Sequence, residues 1–341
     1  MMRSRENLRI RRKNGTSGAP ANRIVIARAD DAPAGSVILL GARSPVACQE
    51  AIEFSGSSFV TIRGLVIRGA TGPGIRLRGG ASRSAGVSLE RNRILDNGTA
   101  NGTCAGGIAI EGGNSDTLVV NNVIYANRGH GIEITDGTAA GSNRRRGSVG
   151  GPHYVIENTI HRNDGTGIEV GPNQSVVIAN NAVTENGRGG NRPRARGGFG
   201  VGRHPGRTRD DATIAMWNNL LCGNGRGEVD GPVFAGQQDG NLTPTGTESP
   251  GVESSPECVE PRGVYRNAAG QDETEGTVDD DFALRRPGPQ GLPSPAIDRG
   301  VDPRTRARDL SSATRIESWT STSARTSCPA PAQKNAKAAR S

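Results

Sequence analysis

The sequence predicts an all-β solenoid built from stacked, short, parallel strands. Three observations predict it. First, an asparagine is followed five residues later by another in Asn92/Asn97, Asn122/Asn127, Asn158/Asn163, Asn181/Asn186 and Asn219/Asn224. Each pair brackets one apolar position: Ile94, Ile124, Ile160, Val183 or Leu221. Second, a Gly-Ile-x-Ile signature or close variant follows four of these pairs: Gly107–Ile110, Gly131–Ile134, Gly167–Val170 and Gly198–Val201. Self-similarity of this kind marks a repeat architecture in which neighbouring units bury a common core. Third, the apolar segments are short, rich in Val and Ile, and alternate with period two, as in Ile132-Glu133-Ile134, so they read as strands. The 50 glycines oppose long helices.

The elements follow in chain order. Residues 1–50 read as a partial early coil with preceding sequence missing, from Arg23-Ile24-Val25-Ile26 and Val37-Ile38-Leu39. Residues 51–235 carry the repeats. Ala51–Phe54 and Gly74–Leu77 extend the second signature backwards, and Val60-Thr61-Ile62 matches Val87-Ser88-Leu89. Two inward ladders are expected: Ile52, Ile75, Ile108, Ile132, Ile168, Phe199, and Phe54, Leu77, Ile110, Ile134, Val170, Val201. Asparagine at a corner tolerates the left-handed backbone region, and identical asparagines stacked coil on coil form amide ladders, so both Asn columns are expected to be structural. Residues 236–310 are expected to form an extension packed on or after the last coil, and 311–341 an altered or disordered tail.

Composition narrows the function. The net charge of +8 is almost all arginine, since the lysines are Lys13, Lys334 and Lys337 alone. Aromatic residues make up 3%, which weakens a case for base stacking on nucleic acid and for sugar stacking on rings. The basic excess is a solvated surface or a site for an acidic polymer. No segment is long and apolar enough to span a membrane.

The five cysteines have no metal-ligand spacing. Cys48 and Cys104 each lie four residues before the first apolar residue of a matching strand, at the same corner two coils apart. The expected pairs are Cys48–Cys104 and Cys222–Cys258, with Cys328 free. Such pairs imply an oxidising compartment, and five solitary thiols are the alternative.

The middle residue of each Gly-Ile-x-Ile strand points outward and reads Glu53, Arg76, Ala109, Glu133, Glu169, Gly200 down the stack. Glu133 and Glu169 are then neighbours at ~5 Å. Two carboxylates that close need a cation, an arginine or a shared proton. They are expected to hold Ca²⁺ or act as an acid/base pair, with His130 at the edge of the same strand. The alternative is a solvated pair. Insertions around the strand carry Arg144, Arg145 and Arg146 on one side and Arg188, Arg192, Arg194 and Arg196 on the other. Arg76, Arg144–Arg146, Arg192 and Arg194 are the expected substrate contacts. His161 is expected to point outward, and His153 and His204 to sit near loops, all as ordinary surface histidines.

The Asn-x-x-x-x-Asn and Gly-Ile-x-Ile repeats over residues 51 to about 230 resemble the right-handed parallel β-helix repeat family of the pectin-lyase-like superfamily, in its bacterial secreted or surface form. Ser294-Pro295-Ala296-Ile297-Asp298 with Gly300 resembles a closing phrase of its surface members. The resemblance implies a right-handed parallel β-helix, an extracellular or cell-surface location, and a monomer acting on polysaccharide. It does not choose an activity, because lyases, hydrolases, epimerases and non-enzymatic surface proteins share the fold. The repeat lacks the catalytic lysine of many such lyases, the Asp-His pattern of pectate-lyase-like sites and the Asp-Pro-His-Asp of the mannuronan epimerases. Two functions are therefore carried forward: a protein that binds, and on one reading cleaves, an acidic polysaccharide such as a polyuronate, and a non-enzymatic structural or adhesive solenoid.

Overall fold

A computed structural model describes residues 7–16, 22–41, 48–99, 106–135, 150–187, 198–203 and 213–230, with separate strands at Met2–Ser4, Gln238–Asp239, Asn241–Thr243, Val252–Ser254, Tyr265–Asn267 and Asp281–Leu284. The protein is a right-handed parallel β-helix. Each coil contributes one strand to each of three parallel sheets. Sheet I holds the Gly-Ile-x-Ile strands, from Leu8–Arg11 and Ile52–Ser55 through Ile132–Ile134 and Ile168–Val170 to Gly227–Val229. Sheet II follows in each coil, from Ile24–Ala27 through Thr117–Val120, Gly150–Ile156 and Gln174–Ala179 to Gln238–Asp239. Sheet III contains the strands between paired asparagines, such as Arg93–Leu95 and Thr159–His161. Strands in these sheets begin at Met2 and continue to Val252–Ser254, beyond the 51–235 span on both sides. Tyr265–Asn267 and Asp281–Leu284 form an antiparallel pair apart from the three sheets.

The core is a set of vertical columns. Ile67, Ile94, Ile124, Ile160, Val183 and Leu221 are register partners in sheet III and fully buried. In sheet I, Ile52, Ile75, Ile108, Ile132 and Ile168 stack as expected. The next partner is Val201, not Phe199. The reason is steric. At Gly74, Gly131, Gly167 and Gly200 an added Cβ would meet the amide nitrogen of Asn97, Asn163, Asn186 or Asn224 at 3.0 Å or less. Gly200 thus holds the column position that requires glycine, and the repeat reads Gly200-Val201-Gly202-Arg203. Phe199 is displaced to the corner, where Arg226 lies 5.7 Å from its ring centroid. Gly202, rather than Gly200, takes the outward position opposite Glu169.

Both Asn columns are hydrogen-bonded ladders. Each Oδ1 accepts from the side-chain amide and the backbone N–H of the asparagine one coil earlier, as Asn158 does from Asn122 at 3.0 and 2.9 Å. Each Nδ2 also donates to a main-chain carbonyl, as Asn158 does to Val119 and Ile156. The ladders run from Asn92 to Asn241 and from Asn97 to Asn224. The ladder asparagines are not the residues in the left-handed region. The residue before each one is: Arg91, Asn121, Glu157, Asn180 and Asn218 in one column, and Asp96, Ala126, Arg162 and Glu185 in the other, at φ of 48–56°. That twist turns the following side chain inward, where its amide replaces water for buried backbone groups.

A second apolar cluster lies on the outer face of sheet III, with Val66, Leu95, Tyr125, Leu220 and Cys222 buried. Cys48 and Cys222 are each disulfide-bonded. The expected partners Cys104 and Cys258, and Cys328, lie outside the described residues, as does His204. His161 points outward yet is buried, with Nδ1 2.8 Å from Thr184 Oγ1. His153 is inside a strand of sheet II and fully buried, not near a loop. Neither is a surface histidine. Alternation assigned His161 to the correct face but carried no information on what covers that face.

Replacing Asn158 with alanine should leave the Asn122 N–H without its acceptor and remove one bond each from the Asn122 amide, the Val119 and Ile156 carbonyls and the Asn181 Oδ1. A loss of about 3 kcal/mol is expected, read as a lower denaturant midpoint. Replacing the solvent-facing neighbour Glu157 with glycine keeps the left-handed turn and should change stability little.

Burial lowers the pKa of both His153 and His161 to about 4; the Gln174 amide partly offsets this for His153 and the Glu185 charge for His161. Each folded value lies below the unfolded 6.5, so the unfolded chain takes up protons that the native state refuses. Stability should be intact above pH 6.5 and fall by about 2–3 kcal/mol per histidine as pH drops to 4. Urea titrations at pH 7 and pH 4.5 check this, and His161→Gln should flatten part of the slope.

Candidate functional site

The outward face of sheet I presents Arg9, Glu53, Arg76, Ala109, Glu133, Glu169 and Gly202 in register. A corner column runs beside it. The carbonyl of the residue preceding each column glycine accepts from the N–H of the column residue one coil earlier; this column contains Pro73, Gly106, His130, Thr166 and Phe199, with Glu50 at the same position before Ala51. Corner and middle residues meet over the strand edge, and two ionisable groupings result.

The first joins His130 and Glu169 across adjacent coils. His130 Nδ1 lies 3.0 Å from Glu169 Oε2, and the Thr166 N–H donates to the same nitrogen at 3.1 Å. The ring is held against Gly165, where a Cβ would come within 2.9 Å of Nδ1. A nitrogen that accepts from Thr166 cannot also donate to Glu169. The Thr166 N–H and the Glu169 carboxyl therefore compete for the same ring nitrogen. Glu169 is buried, whereas Glu133, its register partner, and His130 are partly exposed.

The second grouping joins Glu50 and Glu53, both buried, with three arginines. Arg78 lies 3.0 Å from Glu53 and 3.7 Å from Glu50; Arg76 lies 3.4 Å from Glu50 and 3.6 Å from Glu111; Arg11 lies 3.4 Å from Glu53. Arg78 bridges the two carboxyl groups. Burial, with the Glu53 carboxyl beside it, pushes Glu50 up. For Glu53 burial acts upward too, but the neighbouring Glu50 and the Arg78 and Arg11 guanidiniums outweigh it and bring it down to about 2. The two neighbouring carboxyl groups are thus pushed in opposite directions.

The structure thus brings Glu133, Glu169 and His130 together and places Arg76 on the same face, bound to Glu50 and Glu111 in an earlier part of the stack. Arg144, Arg145, Arg146, Arg192 and Arg194, with the inserted segments bearing them, lie outside the described residues. Among the described residues, no three His, Cys, Asp or Glu side chains surround a common point. A Ca²⁺ at Glu133 and Glu169 would need most of its roughly six to eight oxygens from elsewhere. Glu50, Arg78 and Glu111 were missed. The legible signal was the alternation itself: Glu53 faces Arg76, and Arg78 and Glu111 are the next outward positions of their strands.

Residues 43–202 match the family model described as right handed beta helix region. That stretch is a right-handed parallel β-helix. Among solved structures, the chain is similar to an alginate lyase from Paenibacillus sp. str. FPU-7, at 17% identity and TM-score 0.48, covering 74% of this chain and 78% of that one. It is also similar to the pectate lyase Pel9A, at 14% identity and TM-score 0.49, covering 83% and 76%, and to a mutant form of the periplasmic alginate epimerase AlgG, at 15% identity and TM-score 0.37, covering 74% and 69%. No curated protein matches the chain. Among the described residues, no helix is long and apolar enough to cross a membrane.

Replacing Arg78 with methionine should remove the closest cation from Glu53. The Glu53 pKa should rise from about 2 into the ordinary carboxylate range, as followed by NMR titration, with a fall in stability at neutral pH.

Proposed function

We propose that the protein is an exported β-helix that binds an acidic polysaccharide on the outer face of sheet I and acts on it by proton transfer at His130 and Glu169. The observation that carries this reading is the 3.0 Å contact between His130 Nδ1 and Glu169 Oε2, beside Glu133 on the next strand. A ring anchored by the Thr166 N–H and backed by a buried carboxyl has the geometry of an oriented general acid or base. Acidic sugar polymers suit an arginine-rich, lysine-poor and aromatic-poor surface, which offers charge and hydrogen bonds in place of ring stacking. The resemblance of the repeats supports the polysaccharide class. The disulfide-bonded Cys48 and Cys222 support export. The arginines on the insertions would bind carboxylates, and a Ca²⁺ held partly by Glu133 and Glu169 would bridge polymer to protein.

One observation favours the non-enzymatic solenoid. Three described arginines of this face, Arg76, Arg78 and Arg11, are already paired with Glu50, Glu53 and Glu111, and Ala109 interrupts the charged stripe.

Calorimetric titration with oligouronates, with and without Ca²⁺, and an absorbance assay for unsaturated product separate the readings. The enzyme reading expects heat and turnover in the wild type. It expects His130→Ala to lose turnover on the order of a hundredfold with binding largely kept, and Glu133→Gln to weaken polymer binding. Binding without turnover supports an adhesive solenoid, and no heat from any oligouronate overturns the polysaccharide reading.

A further inference from the structure

The interior of sheet II contains polar groups that no protein atom satisfies. Thr117, His153 and Gln174 lie on consecutive strands and face inward, in alternation with the buried Val119, Val155 and Val176. Their exposures are 0%, 0% and 1%. Thr117 Oγ1, both ring nitrogens of His153 and Gln174 Oε1 have no hydrogen-bond partner. The Gln174 amide lies close enough to His153 to favour its protonated form, but not in hydrogen-bond geometry. Leaving even one such atom unsatisfied in an apolar core is costly, and clusters of them are rare in native proteins. The polar groups at the adjoining corner are all bonded: Ser57 donates to the Ile10 carbonyl, Ser84 Oγ accepts from the Ser57 N–H, and Asn114 bonds Ser84, Leu77 and Arg78. Within this stretch of the interior the deficit falls on Thr117, His153 and Gln174.

We propose that Thr117, His153 and Gln174 form an internal binding site for at least one ordered water molecule. The chemistry of the donor set selects water. At neutral pH the buried His153 is uncharged and offers one donor and one acceptor. Thr117 offers a hydroxyl that does both, and Gln174 an acceptor oxygen. A ligand must therefore donate and accept at once. A metal cation satisfies only acceptors, and none of the three residues carries a compensating charge. An anion satisfies only donors. Water does both, and typically makes about three such bonds when buried.

The backbone provides a reason for room here. Between Gly150 and His153 the strand carries one residue more than its partner, since Gly150 pairs with Gln174 and His153 with Val176. A bulge bends the strand and disrupts the ladder locally. It sits between the two side chains whose polar atoms remain unmatched. The water would complete a hydrogen-bonded column across three coils, as the asparagine amides do at the other corners.

A crystal structure and water-oxygen relaxation dispersion test this in the intact chain. The crystal should show a water within ~3.2 Å of at least two of the four unsatisfied atoms. Direct bonds among Thr117, His153 and Gln174 with no water between them overturn the proposal. In solution, His153→Phe should lose one long-lived internal water relative to wild type. Thr117→Val, close in shape, should shorten the residence time of that water or release it, and carries the test if His153→Phe does not fold. An unchanged count and residence time in the folded variants overturns the site. Neither result bears on polysaccharide binding at sheet I.

Discussion

The amide ladders are the constraint on which the rest of the structure depends. A solenoid with coils of three short strands must turn its backbone repeatedly next to its own core, and each turn exposes carbonyls and N–H groups that water cannot reach. Each ladder asparagine serves its own coil, the coil before and the coil after through one short side chain. Aspartate would lack the donor, and glutamine would reach too far into the column. The ladder also dictates its neighbours. The residue before it is left-handed, and in the Asn97–Asn224 ladder the residue against the amide is glycine, since a Cβ would strike it.

That second demand explains the one error in strand register. Gly198-Phe199-Gly200-Val201 and Gly200-Val201-Gly202-Arg203 satisfy the same alternation, so a linear pattern cannot choose between them. Contact with Asn224 chooses the latter. The consequence reaches the functional face, because Phe199 moves from the core to the corner column and glycine still stands opposite Glu169.

The functional face follows from how two columns meet. A middle residue in sheet I is displaced by one coil or a few residues from a corner residue, and their side chains converge over the strand edge. With glutamates at both positions, the result is a buried carboxyl pair held by three arginines. With histidine at the corner, it is His130 against Glu169. One scaffold thereby creates two electrostatic environments several coils apart. Between them Ala109 leaves a gap in the charged middle column of sheet I.

By itself the sequence determined the solenoid, the period of its coils, the inward columns and the juxtaposition of Glu133 with Glu169. These are consequences of alternation and repetition, which a linear pattern records in full. Only the tertiary structure decided that His130 contacts Glu169, that Glu50 joins Glu53, and that His153 and His161 are buried. Each depends on which residues of different coils converge at a corner or lie beneath another layer. Insertions of unequal length separate those residues in the chain, so their distance in sequence says nothing of their distance in space. The asparagines show both sides: their spacing announced the ladder, but the left-handed residue before each one became visible only in the folded backbone.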